Sequence, residues 1–188
     1  TDVRIARALS GDSELTHGGE TLLLQQDEDG LALSLYLDES ILDRLDDTSP
    51  GAALKAGLLD ELCKVIEGLS HFNYVAWRAA GDRSVTLLEL ELQAEVDKFV
   101  STMQLAMEQR DAELMRILHK RLFEQVRYHE HLDADQQARY RTANDYAARF
   151  CRVIGRRLRR RGMDILPELR RFYRMSQQDK FSHIRACA

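Results

Sequence analysis

The spacing of apolar residues changes once along the chain, and this change most constrains what the chain can fold into. Between residues 31 and 37 leucines alternate with other residues, which predicts one apolar face of a β-strand. From residue 52 onward apolar residues recur every three or four positions, which predicts amphipathic helices. Only two prolines are present to interrupt those helices. The pattern therefore predicts a mainly α protein, a multi-helix bundle with an N-terminal β-hairpin.

The predicted hairpin pairs the TLLLQQ segment, residues 21–26, with the alternating segment at 31–37. Asp29 and Gly30 supply the turn between them. Because an isolated hairpin is marginally stable in water, its leucine face must be covered. Helices, a third strand from residues 3–8, or another subunit are the three ways to cover it.

The predicted helices cover residues 40–47, 52–79, 86–128, 134–161 and 167–175, and the polar run at 108–111 is a possible break. Thr86 and Glu89 have the spacing of an N-terminal capping box. The tail after residue 175 is not assigned. No Pro-rich or Gly-rich linker divides the chain, so residues 1–188 are predicted to be one domain, with a hairpin subregion at 1–48 and a helical bundle with basic C-terminal helices at 49–188.

Composition favours a cytoplasmic protein without a cofactor. No run approaches the roughly 20 apolar residues that span a bilayer, and the first residues do not resemble a signal peptide. Cys63, Cys151 and Cys187 are far apart and form no CxxC, as is typical of a reducing compartment. Glycine-rich phosphate loops and the GxSxG motif are absent from the sequence. We therefore expect no nucleotide cofactor and no serine hydrolase site.

A group of carboxylates and a histidine is the candidate metal site. Glu91 and Glu95 are four residues apart on one predicted helix, and Glu67 and His71 have the same spacing on the helix before it. This group could serve a metal-dependent helical-bundle enzyme, which is the alternative function. Neither of these two predicted helices carries the Glu-x-x-His spacing of di-iron bundles, and the HExxH motif of zinc proteases is absent from the sequence.

Helical phase favours a different role for these residues. When Leu62 and Leu92 are taken as the centres of the apolar stripes, Glu67, His71 and Asp97 point away from the core, and Glu91 lies at the flank. We therefore predict a solvated or salt-bridged face. Metal binding, and a polar cluster buried between two helix layers, stay open as alternatives.

Charge is distributed unevenly along the chain. Residues 1–138 hold 13 Lys and Arg against 27 Asp and Glu, whereas residues 139–188 hold 14 against 4. Helical phase places a row of arginines opposite the apolar stripe that contains Ala147. The predicted binding residues are Arg149, Arg152, Arg156, Arg159, Arg160, Arg170, Arg171 and Arg174.

Three interpretations of these arginines remain open. They could stabilise the partial negative charge at the C-terminal end of their helix and form ion pairs with the acidic residues of 1–138. They could bind a polyanion such as nucleic acid, with Phe172 and Tyr173 stacking on bases. They could also dock on an acidic protein surface, including that of a second copy of the chain. We favour a non-enzymatic interaction or regulatory module that docks an acidic protein surface or nucleic acid, with self-association through the hairpin's leucine face as a further expectation.

Overall fold

The chain folds into a small antiparallel sheet followed by helices. The computed structural model describes residues 15–17, 20–27, 30–126, 132–160 and 164–187. Within these ranges the strands are β1 (Leu15–His17), β2 (Glu20–Asp27) and β3 (Gly30–Leu37). The helices are α1 (Glu39–Leu45), α2 (Pro50–Lys55), α3 (Leu59–Ala80), α4 (Leu87–Glu108), α5 (Ala112–Phe123), α6 (Ala134–Leu158), α7 (Leu166–Arg174) and α8 (Gln177–Cys187). The predicted mainly α fold with an N-terminal hairpin is confirmed.

The sheet has the strand order β1-β2-β3, and β2 and β3 form the predicted hairpin, with Leu22 paired to Leu35. Leu31 and Leu33 are half-buried and pack on the cluster formed by Tyr74, Val75 and the start of α4. Helices of the same chain therefore cover the leucine face. The proposed third strand at 3–8 and the turn residue Asp29 lie outside the described residues. The sequence pattern predicts no strand at residues 15–17, where β1 forms.

The predicted helix at 52–79 is two helices. α2 begins at Pro50, capped by the Ser49 side chain, and it ends at Lys55. Gly57 then adopts a φ of 83°, a left-handed conformation that glycine enters without steric cost and that ends the helical path. The chain turns there before α3 begins at Leu59.

Capping side chains set the next helix boundaries. The Thr86 hydroxyl accepts a hydrogen bond from the Glu89 backbone N–H at 3.1 Å, which is one of the two bonds of the predicted capping box, whereas the Glu89 carboxylate accepts from the Tyr74 hydroxyl. The possible break at 108–111 is real, because Arg110 has a φ of 57° and the Asp111 carboxylate caps α5. α6 begins with a capping box formed by Asp133 and Gln136. Only the final helix, α8, had no counterpart in the sequence prediction.

α4 occupies the centre of the bundle, in contact with α2, α3, α5 and α6. Its predicted apolar stripe is buried at Leu92, Val96, Phe99, Met103 and Ala106. Burial is not confined to that stripe, because every residue from 89 to 94 is buried. Gly155 of α6 allows a close approach to α4, since a Cβ there would lie 3.0 Å from the ring of Phe99.

Substitution of Leu92 by alanine should strongly destabilise the fold. Leu92 is 0% exposed at the centre of α4, so truncation leaves a cavity that its neighbours cannot fill, at a cost of about 2–5 kcal/mol. Leu69 of α3 is 47% exposed, and Leu69→Ala should cost less than about 1 kcal/mol. Urea unfolding monitored by circular dichroism measures both variants. Equal losses in the two variants would contradict the central position of α4.

Candidate functional site

The arginine surface is the set of eight predicted arginines on α6, directly after its end and on α7, and all eight are exposed. Arg149, Arg152 and Arg156 lie on α6, Arg159 and Arg160 directly follow its last residue, and Arg170, Arg171 and Arg174 lie on α7. None of the eight lies within ion-pair distance of a carboxylate in the part of the chain that the structure describes, whereas the neighbouring Arg157 pairs with Glu168. Pairing of this row with the acidic residues of 1–138 is therefore not observed among those residues.

The local fold explains why these guanidinium groups point outward. Phe150 of α6 and Phe172 of α7 are each 1% exposed, and their rings stack with centroids 4.1 Å apart. Each helix thus buries its aromatic side against the other, and positions on the opposite side of each helix face solvent. Tyr173 is also engaged, because its ring meets that of Tyr74 edge to face at 4.9 Å. The suggested stacking of Phe172 and Tyr173 on bases is not available in this arrangement.

Of the predicted solvated or salt-bridged face, the ion pairs are present, because Lys98 pairs with Glu67 and Glu95, but exposure to solvent is not found at His71 and Glu91. His71 is 5% exposed and Glu91 is 4% exposed, and the His71 Nε2 lies 3.7 Å from the Glu91 Oε2. Phase failed because residues 89–94 of α4 are buried on every side, so this part of the helix has no outward face. The alternative of a polar cluster buried between helix layers is the one that the structure contains. We name it the buried polar layer: Glu67, His71, Tyr74, Arg78, Glu89, Glu91, Gln93, Glu95, Asp97, Lys98, Arg139 and Lys180.

Lys98 is the cation at one end of this layer. Its Nζ donates to the Glu67 Oε2 at 2.9 Å and to the Glu95 Oε1 at 2.8 Å. Burial opposes the charge of Lys98, yet the two carboxylates hold its pKa well above the usual value. Burial raises the pKa of the Glu95 carboxyl. Lys98 thus bonds both carboxylates, but only the Glu67 carboxylate also lies close to the ligand atoms of His71 and Glu91.

The cluster of Glu67, His71 and Glu91 has the donor chemistry of a metal site. One ligand atom from each of the three residues lies within 4.8 Å of the others. Burial raises the pKa of Glu91 to about 7, although His71 acts in the opposite direction. Arg139 of α6 approaches the same carboxylate from the other side, with its Nε 3.9 Å from the Glu91 Oε1. Three of the four predicted metal ligands are thus brought together, and Glu95 is not.

Lys180 of α8 anchors the other end of the layer. This side chain is 0% exposed, and its Nζ donates to the Tyr74 hydroxyl and to the Gln93 Oε1, each at 2.8 Å. Tyr74 donates in turn to the Glu89 carboxylate at 2.5 Å, and Arg78 lies 3.3 Å from that carboxylate. Burial lowers the pKa of Lys180 to about 7. Sequence reasoning missed this residue because a lysine in an unassigned tail has no apolar pattern that marks it as buried.

A cleft of about 170 Å³ opens between α4 and α7. Gln93, Asp97 and Val96 line its α4 side, and Arg170 and Tyr173 line its α7 side. Asp97 accepts hydrogen bonds from the Ser70 hydroxyl at 2.6 Å and from the Gln93 amide at 2.9 Å. The cleft therefore connects the edge of the buried polar layer with the arginine surface.

Comparison with protein-family models, with curated proteins and with solved structures finds no significant match. Within the described residues, no helix is both long enough and apolar enough to cross a bilayer. The evidence on function therefore comes from the arginine surface and from the buried polar layer.

The free energy of unfolding should rise with pH above about 7, because of Lys180. Its folded-state pKa of about 7 lies below the usual 10.5, so the unfolded chain binds more protons between these values. Between about pH 7 and about pH 8.5 one such group adds on the order of 1 kcal/mol. Urea titrations across this range measure the rise, and Lys180→Met should reduce it.

Lys55 provides the matched control for this pH experiment, because it is exposed on α2. Lys55→Met should keep the pH dependence of the parent chain. The upper limit of about pH 8.5 stays below 9.0, the ordinary pKa of the Cys63 thiol in the unfolded chain. Burial raises the pKa of the folded thiol to about 12, so ionisation of Cys63 above this limit would also change stability. An unchanged pH dependence in Lys180→Met would show that the amine does not titrate as a buried group.

Proposed function

We propose that this chain is a non-enzymatic docking module that binds an anionic partner through the arginine surface of α6 and α7. The observation that carries the proposal is that eight exposed arginines lie on these two helices and directly after α6, without an ion pair among the described residues. Arg149 contacts the Tyr146 ring at 5.6 Å from its centroid, but within the described residues no carboxylate pairs with any of the eight and competes with an anionic ligand. Arginine suits this role because its planar guanidinium holds carboxylate and phosphate groups with two hydrogen bonds.

The geometry of α6 supports an extended partner. Arg149, Arg152 and Arg156 recur at intervals of three or four residues, so they form a row along one side of the helix. At about 1.5 Å per residue this row extends for roughly 10 Å, and Arg159 and Arg160 follow directly after the helix end. A single small anion would contact only part of it. A polymer or a protein surface with several negative charges would contact all of it.

An acidic protein surface is the favoured partner, and nucleic acid is the second candidate. Phe172 is buried and Tyr173 packs against Tyr74, so neither ring is presented for base stacking. Leu166, 53% exposed, lies at the start of α7 on the same segment as the arginines. Arginine is enriched at protein interfaces, and an exposed apolar side chain beside it could contribute to the apolar core of such an interface. A second copy of this chain would supply an acidic surface as well, since residues 1–138 carry 27 Asp and Glu.

Double substitution Arg152→Ala with Arg156→Ala should weaken anion binding by about tenfold, since each exposed ion pair contributes up to about 1 kcal/mol. Fluorescence anisotropy with a labelled oligoglutamate peptide and, separately, with a labelled single-stranded DNA measures the affinity. Binding should be detectable at about 50 mM salt and should weaken strongly by about 200 mM, because the contacts are electrostatic.

The double variant Arg116→Ala with Arg121→Ala is the matched control. Both residues are exposed on α5, so the net charge changes equally while the arginine surface stays intact. This control should bind as the parent chain does. Binding of DNA without binding of the peptide would show that the partner of the arginine surface is nucleic acid and not an acidic protein. If neither probe binds at about 50 mM salt, a permissive level for such contacts, the docking proposal fails.

A further inference from the structure

Glu67, His71 and Glu91 form the strongest cluster of metal-ligating side chains within the described residues. Their ligand atoms all lie within 4.8 Å of one another. Glu67 and His71 are four residues apart on α3, so one face of that helix presents both side chains. Glu91 approaches from α4, and the His71 and Glu91 side chains are 6% and 5% exposed.

We propose that Glu67, His71 and Glu91 bind a divalent transition-metal ion between α3 and α4. The donors are one imidazole nitrogen and two carboxylate groups, a set that suits Zn²⁺, Mn²⁺ or Fe²⁺ better than Ca²⁺. Ligands at about 2.0–2.2 Å from such an ion lie roughly 3–4 Å from one another. The 3.7 Å between the His71 Nε2 and the Glu91 Oε2 is already in that range, so only a small closure by the Glu67 carboxylate is needed.

The surrounding side chains fit the outer partners of a metal site. Lys98 bonds the Glu67 carboxylate at 2.9 Å, and the Arg139 Nε lies 3.9 Å from the Glu91 Oε1, whereas His71 lies near the Oε2. Metal-binding carboxylates are commonly held by such partners, which orient them. Three protein ligands leave coordination positions for water or for a small ligand. The site is separate from the arginine surface and does not depend on the proposed docking function.

The experiment uses the full chain after chelator treatment and dialysis. Isothermal titration with Zn²⁺ and Mn²⁺ should give one ion per chain, with a rise in the temperature of unfolding, whereas Mg²⁺ should bind much more weakly. His71→Ala and the isosteric Glu91→Gln should each lower the affinity at least about tenfold, since loss of an outer partner alone costs about 10–100-fold. His119→Ala, which removes a half-buried histidine of α5, is the control and should bind as the parent chain does.

Substitution with Co²⁺ supplies a test that requires no variant. Cobalt bound by nitrogen and oxygen ligands shows visible absorption bands without a thiolate charge-transfer band in the near ultraviolet. A charge-transfer band would place the ion at a cysteine, such as Cys187, whose Sγ lies 3.7 Å from the His183 Nε2, and would overturn the proposal. Absence of Zn²⁺ and Mn²⁺ binding to the parent chain would overturn it too. Equal affinities in the parent chain and in Glu91→Gln would have the same consequence.

Discussion

The burial of residues 89–94 of α4 on all sides is the constraint on which the rest of the structure depends. This part of the helix has no solvent-facing side, so each charged residue buried there requires a partner from another element. Glu89 of α4 accepts a hydrogen bond from Tyr74 of α3 and forms an ion pair with Arg78 of α3. The partly buried Lys98 of α4 forms an ion pair with Glu67 of α3. Lys180 of α8 joins the same network, because its Nζ donates hydrogen bonds to Tyr74 of α3 and Gln93 of α4. Because an unpaired buried charge costs several kcal/mol, these contacts restrict how α3, α4 and α8 can pack.

Arginine has two different roles in this fold, and packing separates them. Arg78 is 6% exposed and donates to the Ser84 carbonyl beside the Glu89 carboxylate, so its charge is used internally. Arg152 and Arg156 lie on the outer side of α6 and remain exposed. The acids near α4 are already engaged within the buried polar layer. The arginines of the arginine surface therefore remain exposed to solvent, and this exposure is the basis of the proposed docking function.

Sequence patterns that span only a few residues predicted the hairpin strands, several helix ends and the exposed side of α6, because these features depend on neighbouring residues. Alternating leucines located the hairpin, Thr86 marked the start of α4, and phase placed the arginines on the exposed side of α6. The same phase argument failed at His71 and Glu91, because it assumed one apolar face per helix. The break at Gly57 was missed as well, since an isolated glycine does not reveal whether the chain will use its left-handed conformation.

By itself, the sequence determined the class of fold, most of the helices and the outward direction of the arginine surface. Those properties follow from periodicity and capping, which act over a few residues. Only the tertiary structure decided that the acids and the histidine are buried, and that a lysine of the tail lies among them. Lys180 and Tyr74 are separated by 106 positions in the chain, yet their polar atoms are 2.8 Å apart. The partner that makes a buried charge stable comes from a distant segment, so no local pattern can reveal it.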